Sequence, residues 1–98
     1  MMYESKMKSP QTDRLFAAIL SLEDTEACYR FFDDLCTFSE IQAMTQRLQV
    51  AELLRAGKTF AQISEETGVS SATITRVNRC LSYGAGGYDL VLGEKAPR

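Results

Sequence analysis

The chain has no histidine and only three cysteines in 98 residues, and those two scarcities leave little for metal or redox chemistry. Zinc sites need Cys and His in paired spacings, whereas Cys28, Cys36 and Cys80 form an odd set with no such pairing. Each lies in an apolar helical pattern and reads as a small buried hydrophobe in a reducing compartment, outside any disulfide framework. No glycine-rich loop leads into a helix with a following lysine, and no carboxylates converge at helical spacing, so an enzyme is the poorest fit. Asp33 and Asp34 are neighbours that diverge by about 100° on a helix and read as a solvated face. No apolar run is long enough to span a bilayer, and Met1-Met2-Tyr3-Glu4-Ser5-Lys6 lacks the apolar centre of a signal peptide. A cytoplasmic location, no membrane contact and no cofactor are therefore expected.

Positive charge is also in short supply, with 11 Lys and Arg against 13 Asp and Glu and a net charge of −2. Phosphate contacts dominate DNA affinity, so this balance argues against a strongly basic nucleic-acid binder. The distribution tempers that. Arg47, Arg55, Lys58, Arg76 and Arg79 gather around one stretch of the sequence, while Glu23, Asp24, Glu26, Asp33 and Asp34 lie well upstream. Glu65 and Glu66 fall within the basic stretch and predict weak non-specific affinity.

That stretch, residues 59–82, reads as two short helices joined by a glycine turn, a helix-turn-helix. Thr59 followed by Gln62 is a capping pair that satisfies the orphan N–H groups of a helix start. Phe60 and Ile63 share a face. Gly68 stands where the chain reverses through a left-handed conformation, Val69 plugs the space between the helices, and Ser70 caps the second helix. Ile74, Val77 and Leu81 recur at the steps that build a buried stripe. The opposite face carries Ser71, Ala72, Thr73, Thr75, Arg76, Asn78 and Arg79. A helix enters a DNA major groove only if its leading side chains do not hold it off the base edges, and Ser71, Ala72 and Thr73 meet that condition. The candidate DNA-binding residues are Thr59, Gln62, Ser70, Ser71, Ala72, Thr73, Thr75, Arg76 and Arg79, with hydroxyls to donate, methyls to meet thymine methyls and arginines for phosphates. The bland alternative is a helical hairpin with a solvated polar face.

The rest of the chain supports an all-α domain. Residues 1–11 have no apolar period and read as a mobile, solvated arm. Thr12 can cap a helix with Leu15, Phe16, Ile19, Leu20 and Leu22 on a broad apolar face that needs a partner surface. A second helix starts near Thr25, with Ala27, Cys28, Phe31, Phe32 and Leu35 inward. Thr37-Phe38-Ser39-Glu40 is another capping box and opens the longest helix, whose stripe runs through Ile41, Met44, Leu48, Ala51 and Leu54. Val50 and Leu53 lie off that stripe, which predicts cover from two sides. Residues 82–92 read as a helix stop and flexible segment with Tyr83 and Tyr88 as docking aromatics, and residues 93–98 as a disordered tail. A domain over residues 12–92 is small enough to make dimerisation plausible.

From Asp34 to Leu81 the chain resembles the tryptophan-repressor superfamily, through Leu35-Cys36-Thr37, Glu40, Arg47, Leu53-Leu54, Gly57, Gly68 and Ala72-Thr73-Ile74-Thr75-Arg76. It is more closely similar to the YerC/YecD-type branch through Phe31 to Thr37, Gln46 to Ala51, Glu66-Thr67-Gly68 and Arg79 to Gly84. The resemblance implies an all-helical, intertwined homodimer that presents two recognition helices to a near-palindromic operator. It also implies a possible effector pocket at Thr37, Arg47, Arg76, Val77 and Cys80. The first three match groups that hold the tryptophan corepressor in that family. Val77 replaces a glycine that leaves room for the indole ring, Cys80 a serine and Asp34 an apolar residue. Overpacking an indole slot costs kilocalories, so tryptophan is not expected to bind in the family's manner.

The leading expectation is thus a DNA-binding regulator, a repressor by resemblance, whose partners are double-stranded operator DNA and a second copy of itself. One alternative is a protein-interaction module on the same scaffold, its acidic surface docking onto a basic partner. Another is repression gated by a small molecule at Arg47 and Arg76.

Overall fold

The computed structural model describes residues 3–93, and every regular element among them is a helix. In order these are α1 (Pro10–Leu20), α2 (Thr25–Leu35), α3 (Phe38–Arg55), α4 (Phe60–Thr67), α5 (Ser71–Tyr83) and α6 (Gly87–Leu92). They fall into two units divided between Phe38 and Ser39. Residues 94–98, and with them nearly all of the predicted tail, lie outside the described residues, as do residues 1 and 2.

In the first unit, α1 begins earlier than Thr12 predicts. Ser9 is the N-cap, in extended conformation, and its hydroxyl accepts from the Thr12 N–H at 3.0 Å. Pro10 takes the first helical position, where a missing N–H costs nothing and its fixed φ already suits the helix. Pro10 and Gln11, expected in the arm over residues 1–11, are helical instead. Lys8 donates to the Asp13 carboxylate in the first turn of α1, which ties its end to the helix. Asp24 caps α2 by accepting from the Ala27 N–H at 2.8 Å. The Phe31 and Phe32 rings meet edge to face, 5.6 Å between centroids.

Neither α1 nor α2 contains a single buried residue. Leu20 is 84 % exposed, and Phe16 and Leu35 are about half exposed. Cys28, expected inside, is exposed, and so is Cys80 in the second unit, while Cys36 is half-buried. Apolar periodicity shows which side of a helix wants cover. It does not show whether one protomer supplies that cover.

The second unit carries the core. Val50, Ala51, Ile63, Val69, Ile74 and Val77 are buried together, with Leu53, Leu54, Leu81, Tyr88 and Leu92 packed against them. Val50, which lies off the stripe read from the sequence, is fully buried beside Ala51, whereas Met44 and Leu48 on the stripe remain exposed. α3 ends with Lys58 N–H donating to Leu53 O and Gly57 N–H to Leu54 O, both at 3.1 Å, a paired arrangement that closes helix C-termini. Residues 82–92 are not a flexible tail. Gly87–Leu92 forms α6, and Tyr88 and Leu92 rest on the core.

Candidate nucleic-acid interface

The hairpin is fixed at each end and at its turn. At the start of α4, Thr59 Oγ1 accepts from Gln62 N–H at 3.1 Å and Thr59 N–H donates to Gln62 Oε1 at 2.8 Å, which completes the reciprocal box. Gly68 ends α4 in the left-handed region at φ +71°, its N–H donating to Ser64 O; a side chain in that conformation would cost about 1–2 kcal/mol. Thr67 stitches the turn, its hydroxyl donating to Ile63 O at 2.6 Å and accepting from Val69 N–H at 3.1 Å. Val69, 6 % exposed, is the plug between α4 and α5.

Ser70 caps α5, accepting from Thr73 N–H at 3.3 Å while its hydroxyl pairs with Thr73 Oγ1 at 3.2 Å. Ile74 and Val77 are then sealed in the core at 0 % and 1 % exposure. Because α5 turns about 100° per residue, burial of these two puts Ser71, Ala72, Thr75, Arg76 and Arg79 outside, and all five are exposed. Thr73 is half-buried. What meets solvent is a slim helix N-terminus followed by two arginines. Arg76 and Arg79 have no ion-pair partner among the described residues.

Capping occupies some of the predicted contact residues without closing them off. Thr59 and Gln62 are both exposed. The box uses the threonine oxygen and the glutamine carbonyl as acceptors, leaving the hydroxyl hydrogen and the carboxamide NH2 to donate. Ser70 is exposed but is engaged with Thr73. Arg55, expected in the basic cluster, is committed elsewhere: it pairs with Asp89 and donates to Gly93 O at 2.6 Å. No sequence signal joins partners 34 and 38 positions apart.

The residues of the possible effector pocket are dispersed in environment. Val77 is part of the core, Arg47 is half-buried on α3, and Thr37, Arg76 and Cys80 are exposed. Cys80 lines an open apolar groove with Leu48, Tyr88 and Val91. Among the described residues no three His, Cys, Asp or Glu side chains gather as a metal site, and no helix is long and apolar enough to cross a membrane.

The sequence profile of the Trp repressor protein family matches residues 10–96. The chain belongs to the Trp repressor family. It is 56 % identical over 87 residues to the uncharacterized protein YerC of Bacillus subtilis (strain 168), an alignment covering 89 % of this chain and 84 % of YerC. Among solved structures it is similar to a chain from Staphylococcus aureus provisionally assigned as a Trp repressor, with TM-score 0.85, 50 % identity, and coverage of 94 % of this chain and 92 % of that one. A TrpR-like protein from Eubacterium eligens ATCC 27750 gives TM-score 0.85 and 48 % identity, covering 94 % and 98 %. The all-helical architecture is therefore the Trp-repressor fold, and the family is one of regulators, not enzymes.

Proposed function

We propose that this Trp-repressor family member is a sequence-specific DNA-binding regulator, a repressor, that works in the bacterial cytoplasm as an intertwined homodimer on operator DNA. The observation that carries this reading is the face of α5: small exposed side chains at Ser71, Ala72 and Thr75, exposed arginines at 76 and 79, and a sealed apolar seam behind them. Such a helix can approach base edges closely while its arginines neutralise phosphates. The homodimer is supported by α1 and α2, whose apolar sides are left without buried residues in one protomer. Helices of 11 residues are marginal without tertiary packing, and a second copy offers the missing surface.

Tryptophan is not required in this reading. Val77 is a core residue packed with Val50 and Ala51, so α5 is held by the chain's own side chains. Thermal-shift measurements across amino acids and indoles are expected to be silent.

The net charge of −2 and the exposed Glu65 and Glu66 favour a second reading, a protein-interaction module on the same scaffold. Charge reversal separates the two. Arg76→Glu with Arg79→Glu is expected to abolish retention of duplex genomic fragments at low salt while the protein stays folded and dimeric. Unchanged retention would overturn the DNA-binding reading.

A further inference from the structure

The six residues of α6 cannot hold a helix by themselves, because nucleating one is unfavourable and short helices are marginal in water. Its fixed position therefore comes from docking, and the docking has two parts. Tyr88 and Leu92 rest on the core that also holds Ile74 and Val77 of α5. Arg55, the last residue of α3, grips α6 from the side: one guanidinium nitrogen pairs with the Asp89 carboxylate and the other donates to Gly93 O at 2.6 Å. The Arg55 side chain is only 15 % exposed. At either end α6 is bounded by a glycine at positive φ, Gly86 at +82° in the left-handed conformation and Gly93 at +83° in an extended one.

Arg55 and Asp89 share a small cleft with Asn78, Leu81 and Ser82, all on the C-terminal half of α5. The recognition helix is thus flanked, at the end away from its DNA-facing start, by a helix that depends on one arginine for its lateral hold. We infer that Arg55 is a positioning residue: by clamping α6 through Asp89 and the Gly93 carbonyl, it fixes the C-terminal half of α5 and with it the presentation of Ser71 to Arg79. This rests on the proposed DNA-binding role for its consequence on affinity, while the clamp itself can be tested without DNA.

Electrostatics alone and the clamp make opposite predictions for Asp89→Asn. Removing a carboxylate makes the protein less acidic and releases Arg55, which should tighten DNA binding if Arg55 were a phosphate ligand. The clamp predicts weaker binding. Using the full-length native protein, amide exchange in residues 86–93 and 78–84 of Asp89→Asn and Arg55→Gln is expected to accelerate by about ten-fold, the equivalent of one charge-assisted hydrogen bond. Exchange in α4 should stay at the wild-type rate. DNA affinity well below the melting temperature is expected to fall several-fold in both variants with an unaltered dependence on salt, which lost phosphate contacts or global destabilisation would not produce. Asp89→Glu, which keeps the carboxylate, should restore both protection and affinity.

Unaccelerated exchange in residues 86–93, or tighter DNA binding by Asp89→Asn, would overturn the inference. If exchange accelerates as stated while even the wild-type protein selects no DNA, the clamp stands and the DNA-binding role falls.

Discussion

Ile74 and Val77 lie three residues apart on α5 and are both sealed, while Thr75 and Arg76 between them are exposed. One helix thus seals the core on one side and leaves a polar side free for the proposed DNA contact. Truncating Ile74 to alanine is expected to destabilise the fold by about 2–5 kcal/mol, the usual range for emptying a fully buried aliphatic site, read by denaturant unfolding. These two residues were legible in the sequence because their spacing is local and both of its consequences, burial and exposure, follow from helix geometry. The burial of Val50 agrees with the second apolar side that Val50 and Leu53 give α3, whereas Met44 and Leu48 on the main stripe stay exposed, because only the arrival of α4 and α5 decides which apolar positions are covered. Arg55 departs from its expected place in the basic cluster for a related reason. Its charge sits near the hairpin in sequence, but its partners Asp89 and Gly93 lie in a later element.

At the scale of elements, boundaries follow capping chemistry wherever that chemistry is short-range. Thr59 with Gln62, Gly68 and Ser70 define α4 and α5 as their sequence signals indicate. α1 starts before the Thr12 signal because Ser9 ahead of Pro10 is the better cap: it supplies the acceptor, and proline supplies the preset first turn. α6 has no sequence signal, because six residues after a glycine-rich stretch have too little periodicity to announce a helix, and its stability comes from Tyr88, Leu92 and Arg55. The junction between α5 and α6 carries its own prediction. A methyl group at Gly84 would collide with the backbone carbonyl of Cys80, which also accepts the Gly84 N–H at 2.9 Å. Gly84→Ala is expected to lower stability by about 1–3 kcal/mol, the usual cost of overpacking, and to speed exchange across residues 80–92; a melting temperature equal to wild type would contradict this.

At the scale of the whole molecule, the exposed apolar sides of α1 and α2 are the feature that a single protomer leaves unexplained. Leu20 on α1, 84 % exposed, and Phe38 at the start of α3, 82 % exposed, are expected to be covered by a second copy. Light scattering should give a dimer at micromolar concentration, and Leu20→Asp with Phe38→Asp should shift it toward monomer, because an unpaired buried charge is costly. A wild-type monomer would contradict the homodimer. Two copies would place two α5 helices on one duplex, and helix-turn-helix dimers read half-sites about 34 Å apart, one turn of DNA. Presentation of α5 to a major groove is read without intermediaries by selection of genomic DNA fragments with the native protein at low salt. Enrichment of one near-palindromic sequence is expected, lost when Ala72→Glu places a long acidic side chain at the tip of α5. Fragments retained without sequence preference, or an enriched site bound equally well by Ala72→Glu, would contradict it.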